Sequence, residues 1–110
     1  MVEKNTAQSP ADSLQSLRGK LGTSDIPEFW KCRNDRTGNG LHNALHTISQ
    51  IISSFGAEKV RSGNKRRWER LHTERILLEV GFHVGVAHSQ GYYWLELREK
   101  IVKVIEPHVK

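Results

Sequence analysis

The residues with the clearest chemistry are the cations of one short segment, residues 59–75. This segment holds seven Lys and Arg against two Glu, a net charge of +5 that equals the net charge of the whole chain. A concentrated positive field attracts a polyanion, whereas scattered charge mainly keeps a protein in solution. The sequence therefore predicts a surface that binds the phosphates of DNA or RNA. The candidate contact residues are Lys59, Arg61, Lys65, Arg66, Arg67 and Arg70.

The same segment has a second interpretation, a solvated helix whose charges pair within the helix. Oppositely charged residues three or four positions apart are neighbours on a helix surface. The segment offers three such pairs, Arg66 with Glu69, Arg70 with Glu74, and Arg75 with Glu79. An acidic protein surface is also a polyanion, so charge alone does not separate a nucleic acid from a protein partner.

Two histidines form a candidate metal site. His42 and His46 lie four residues apart, a spacing that places two imidazoles on one face of a helix and lets them share a metal ion. The chain has a single Cys and so no Cys pair, and the sequence specifies no third ligand. Surface histidines are therefore favoured over a metal centre, and no cofactor is predicted.

Arg36 and His42 form a second weak candidate, this time for catalysis. An Arg followed by four to six residues and then a His resembles the motif of HEPN-type ribonucleases, which are helical domains that cleave RNA. The resemblance covers seven residues and implies metal-independent cleavage by attack of the 2′-hydroxyl group. In that chemistry His42 moves a proton and Arg36 holds a phosphate. The competing interpretation is a solvated loop Arg that precedes a capped helix.

Length and composition limit the broad class of the protein. A chain of 110 residues can bury one hydrophobic core but not two. A lone Cys forms no internal disulfide, which is typical of a reducing compartment, so we expect a cytoplasmic location. No apolar run approaches a membrane span or the core of a signal peptide, so no membrane partner is expected. Residues 1–12 are predicted to be a flexible arm and residues 13–110 a single domain.

Apolar spacing predicts the helices that must position these candidate sites. The clearest one places apolar residues every three or four positions over residues 41–55, and Gly56 is predicted to end it. Ser13 is predicted to cap a first helix. The other expected helices cover residues 14–21, 26–30, 65–79 and 97–106, with a loop at 33–40. The helix over residues 65–79 is expected to dock on the core through Trp68, Leu71 and Leu78.

The segment from about residue 82 to residue 98 decides the fold class. Gly81, Gly85 and Gly91 would each cost a helix about 1 kcal/mol relative to Ala, and many of their neighbours are β-branched or aromatic. A three-residue loop ending at Gly91 suits a β-hairpin, because Gly readily adopts the left-handed conformation. The prediction is an α+β fold, mainly helical, with three or four helices, this C-terminal hairpin and a final helix. The alternative is an all-α bundle. A basic helix followed by a hairpin also resembles a winged-helix module.

These sequence features are compatible with three functions. The favoured one is a small basic accessory protein that binds nucleic acid through residues 59–75. The alternative is a protein-interaction or assembly subunit, a homo-oligomer included, joined through an exposed hairpin edge or the polar side of the clearest helix. The third is the HEPN-like ribonuclease. Since the sequence carries no strong catalytic signature, binding is favoured over catalysis.

Overall fold

The computed structural model describes residues 10–31, 39–61, 68 and 70–109, and a bundle of helices accounts for nearly all of these residues. Within these residues the elements are α1 (Pro10–Thr23), α2 (Ile26–Lys31), α3 (Asn39–Arg61), α4 (Arg70–Gln90), α5 (Trp94–Ile105) and a 3₁₀ turn, Glu106–His108. This described part contains no strand. Helix α3 packs on α1, α2 and α4, and α5 packs on α1 and α4.

The predicted β-hairpin at residues 82–98 is wrong, and the alternative all-α fold is the one observed. Val80, Val84 and Ala87 recur at helical spacing and are all buried in the core. A fully buried Val contributes about 1.5–3 kcal/mol, which outweighs the cost of about 1 kcal/mol for each glycine inside α4. The α+β class and the resemblance to a winged-helix module are withdrawn with the hairpin.

Gly91 does adopt the left-handed conformation, with φ of 74°, but it lies at the end of α4. The N–H of Tyr92 donates to the carbonyl of Ala87 at 2.9 Å. This bond is the long-range one of a Schellman motif, in which the residue after the helix has positive φ. A hairpin loop and a helix end both require such a residue, so the glycine predicts the local backbone and not the element around it.

Gly56 does not end α3, which continues through it to Arg61. An ideal Cβ at Gly56 would lie 1.8 Å from Nε1 of Trp68, so only a glycine leaves room for this indole. Trp68 is buried there and meets the ring of Phe55 edge-on, with 5.4 Å between the ring centroids. Gly56 therefore leaves the space in which the buried Trp68 packs, and this contact joins α3 to the start of α4.

The remaining boundaries also differ in part from expectation. Helix α1 begins at Pro10, and Ser13, the predicted cap, is buried within it. Residues 1–9 of the predicted arm and residues 33–38 of the predicted loop lie outside the described residues. The predicted long helix, short second helix and final helix are confirmed as α3, α2 and α5.

Trp30 holds α2 against the junction between α4 and α5. Its Nε1–H donates to the carbonyl of Tyr92 at 2.7 Å. Its ring also meets His88 edge-on, at 6.0 Å between centroids, and lies 6.3 Å from the ring of Trp94. The Trp30 side chain thus connects α2 with the end of α4 and the start of α5, and α2 itself also packs on α3.

Candidate nucleic-acid interface

The basic segment is a junction between two helices and not a single helix. Lys59 and Arg61 lie in the last turn of α3, and Arg70 is the first residue of α4. Between them, the indole of Trp68 packs against Gly56 and fixes where the second helix starts. Lys65, Arg66 and Arg67, three of the predicted contact residues, lie outside the described residues.

Lys59 is engaged with the protein itself. Its Nζ donates to Oγ of Ser13 in α1 and lies 5.1 Å from the centre of the Phe55 ring. Burial lowers the pKa of the Lys59 amine below its ordinary value. The structure thus brings Lys59 to α1, where it ties the last turn of α3 to the bundle.

Among the described side chains of this segment, Arg61 and Arg75 are exposed cations. Neither forms an ion pair with another residue for which the structure describes a side chain. In particular, the predicted pair between Arg75 and Glu79 is not formed, since Oε1 of Glu79 faces Nε2 of His83 at 4.0 Å. Among the described side chains, no carboxylate therefore competes with an external anion for these two guanidinium groups.

The start of α4 adds to the positive field. Its first turn contains no acidic residue. The aligned peptide dipoles of a helix place about half a positive charge at its N-terminus, and this favours anions nearby. Within this described first turn, the helix dipole and the cations of the segment therefore act in the same direction.

Several cations elsewhere in the bundle are paired with carboxylates. Arg18 of α1 binds Glu99 of α5 through two hydrogen bonds, of 2.7 and 3.0 Å. This contact lowers the pKa of the Glu99 carboxyl and raises the pKa of the Arg18 guanidinium. Likewise, Nζ of Lys20 in α1 lies 3.4 Å from Oε2 of Glu58 in α3. Glu58 and Glu99 are therefore engaged by Lys20 and Arg18 and not by the arginines of the junction.

His42 and His46 are both exposed along α3. The residues that the structure describes contain no group of three or more His, Cys, Asp or Glu arranged to hold a metal ion. The described residues thus supply no third ligand to the two histidines, and a metal site there stays an untested candidate. Arg36, the partner of His42 in the HEPN-like motif, lies outside the described residues, so that site stays a prediction.

A cluster that the sequence did not indicate lies next to Trp68. The ring of His108 is 6.2 Å from the indole and 5.7 Å from the ring of His72. Burial, followed by the neighbouring His72, lowers the pKa of His108. Residues 72 and 108 come from α4 and from the 3₁₀ turn, so no local spacing could have predicted their contact.

Leu78 is also placed differently from expectation. The sequence predicts that Leu78 docks the basic helix on the core together with Trp68, yet its side chain is 79% exposed. The buried stripe of α4 instead contains Ile76, Val80 and Val84. Ile76 is two positions before Leu78, which places it on the opposite side of the helix.

Comparison with known proteins finds no matching family model, no matching curated protein and no matching solved structure. Among the described residues, no helix combines the length and apolar character that crossing a bilayer requires. The case for a function accordingly rests on the residues of this chain.

Proposed function

We propose that this protein binds nucleic acid through the junction between α3 and α4, using the cations of residues 59–75. The observation that carries the proposal is that this one segment contains a charge of +5, equal to the net charge of the chain. The two exposed arginines without described partners, Arg61 and Arg75, and the acid-free start of α4 support it. Phosphate groups are the most abundant ligands for such a surface.

The contacts are expected to be to the backbone of the nucleic acid. Arginines bind phosphate oxygens through two parallel N–H donors, which gives affinity and orientation without reading the base sequence. We assign this role to Arg61, Lys65, Arg66, Arg67 and Arg70. Lys59 has a different role, because its amine already binds Ser13 and faces the Phe55 ring; it holds the last turn of α3 in place.

The test compares two triple charge reversals that change the net charge equally. One replaces Arg66, Arg67 and Arg70 with Glu. The matched control replaces Lys31, Lys100 and Lys103, three exposed lysines away from the junction, with Glu. Each variant lowers the formal net charge from +5 to −1. Fluorescence anisotropy with labelled single-stranded and double-stranded DNA and RNA gives the dissociation constants.

The junction variant should lose binding by at least about 100-fold at low salt, since each lost phosphate contact removes a charge-assisted hydrogen bond. The control should lose much less, because only the general attraction of a positive protein is removed. Equal losses in both variants would mean that net charge and not a defined surface causes binding. Retention of binding in the junction variant would show that the contact surface lies elsewhere.

A further inference from the structure

The outer face of α4 carries large apolar side chains in contact with solvent. Leu78 is 79% exposed and Phe82, one turn later, is 68% exposed. Both lie on the side of the helix opposite to the buried residues Val80 and Val84. Neighbouring exposed residues of this size on a small domain indicate a contact surface, whereas single exposed apolar residues do not.

An open groove lies beside the protruding Phe82 ring. Gly81 and Gly85 leave this space, because a Cβ added to either would meet nothing within 4 Å. The groove has a volume of about 380 Å³. It is lined by Gly81, Phe82, Gly85, Val86, Ser89 and Gln90, none of which carries a charge. The same face thus presents an aromatic projection with an uncharged depression next to it.

We propose that a second copy of this chain covers this face, in a two-fold symmetric dimer of antiparallel α4 helices. A two-fold interface uses the same surface patch on both subunits, so that patch must hold both the projection and the groove that receives it. In the dimer, Phe82 of each copy inserts beside Gly85 of the other. Leu78, Phe82, Gly85 and Ser89 are spaced by four, three and four residues, the spacing by which paired helices pack along a common seam.

The distribution of charge favours the antiparallel over the parallel arrangement of the two copies. The basic segment, residues 59–75, ends in the first turns of α4, whereas the groove lies in its second half. Parallel helices would bring two segments of charge +5 side by side. Antiparallel helices separate them by about the length of α4, roughly 30 Å for 21 residues at 1.5 Å each. That distance exceeds three Debye lengths at physiological salt, so the repulsion is screened.

The size of the face sets the strength of this association. A helix face about 30 Å long and about 10 Å wide covers roughly 300 Å² on each copy. A standard stable interface covers about 800 Å² on each partner. The dimer is therefore expected to be weaker than complexes with a standard interface. This inference does not depend on nucleic-acid binding.

Sedimentation equilibrium of the full chain from about 5 µM to about 1 mM tests the proposal. The wild-type protein should pass from monomer to dimer over this range. Phe82→Glu should weaken dimerisation by at least about tenfold, because it places a charge in the interface. The matched control is Tyr93→Glu, which removes another exposed aromatic residue, 72% exposed, outside the groove. That variant should dimerise as the wild type does.

A second variant separates assembly from folding. Gly85→Gln places a side chain in the groove, its Cβ meets nothing within 4 Å in the monomer, and Gln is a better helix former than Gly. It should therefore abolish dimerisation while the thermal midpoint rises. A wild-type monomer at about 1 mM, or equal weakening by Phe82→Glu and Tyr93→Glu, would overturn the proposal. A dimer that strengthens more than about tenfold with added salt would overturn the antiparallel direction, because screening would then relieve a repulsion that this arrangement avoids.

Discussion

Replacing Gly56 with Ala tests the packing that forms the junction between α3 and α4. The added Cβ would lie 1.8 Å from Nε1 of Trp68 and 2.7 Å from its Cδ1 and Cε2. Real Cβ contacts are not closer than 3.0 Å, so the indole must move by at least about 1.2 Å. Trp68 is only 1% exposed and contacts Phe55, so it has little free space into which it can move.

Two opposing effects determine the size of the change. Ala is a better helix former than Gly by about 1 kcal/mol, which stabilises α3. Overfilling a packed core costs about 1–3 kcal/mol, and expelling a buried tryptophan costs about 3–5 kcal/mol. We expect the packing cost to prevail, with a net loss of about 2 kcal/mol in the free energy of unfolding. For a domain of this size, that loss lowers the thermal midpoint by roughly 10 °C.

Urea unfolding followed by circular dichroism and tryptophan fluorescence measures this loss. The matched control is Gly19→Ala in α1, where the same methyl group meets nothing within 4 Å. The control should raise the free energy of unfolding by about 1 kcal/mol, since only helix propensity changes. We therefore expect the same Gly-to-Ala substitution to lower the free energy of unfolding at position 56 and to raise it at position 19. If Gly56→Ala also stabilises the protein, the indole does not occupy the space above Gly56 and the account of the junction is wrong.

Two further predictions concern the same junction. The pKa of His108 is lowered in the folded state. The unfolded chain therefore binds more protons than the folded chain below about pH 6.5. The free energy of unfolding should consequently fall as the pH decreases from about 7 to about 5. His108→Gln should flatten this dependence in urea titrations, and an unchanged slope would contradict it. Arg61→Met should weaken nucleic-acid binding several-fold more than Lys59→Met, because the Lys59 amine already binds Ser13; equal anisotropy losses would refute that difference.

Local patterns in the sequence predict much of this fold. The apolar repeat of residues 41–55 identifies α3, and the spacing of Leu97, Ile101 and Ile105 identifies α5, because each helix buries one continuous stripe. The pattern fails for α4, whose two faces both carry apolar residues. There the choice between helix and hairpin depends on whether Val80 and Val84 find a core to pack against, and that information lies in α3 and α5.

The sequence likewise predicts only some features of the candidate interface. Counting charges locates the basic segment, because its cations are neighbours in the sequence. The inward turn of Lys59 depends on Ser13, 46 residues earlier, and the seat of Trp68 depends on a glycine 12 residues before it. His108 joins the same cluster from the end of the chain. Contacts between distant positions leave no mark on local spacing, so these roles were not predictable from a single sequence.

The most direct test of nucleic-acid binding is the salt dependence of affinity, measured by anisotropy with a labelled DNA duplex from about 50 mM to about 200 mM salt. The account predicts that the logarithm of the association constant falls linearly with the logarithm of salt concentration, with a slope of about −0.9 for each phosphate contact. With five contacting cations the slope is about −4.5, and reversal of Arg66, Arg67 and Arg70 should reduce its magnitude by about 2.7. Absence of binding at about 50 mM salt, or a slope that the reversal leaves unchanged, would contradict the proposed function.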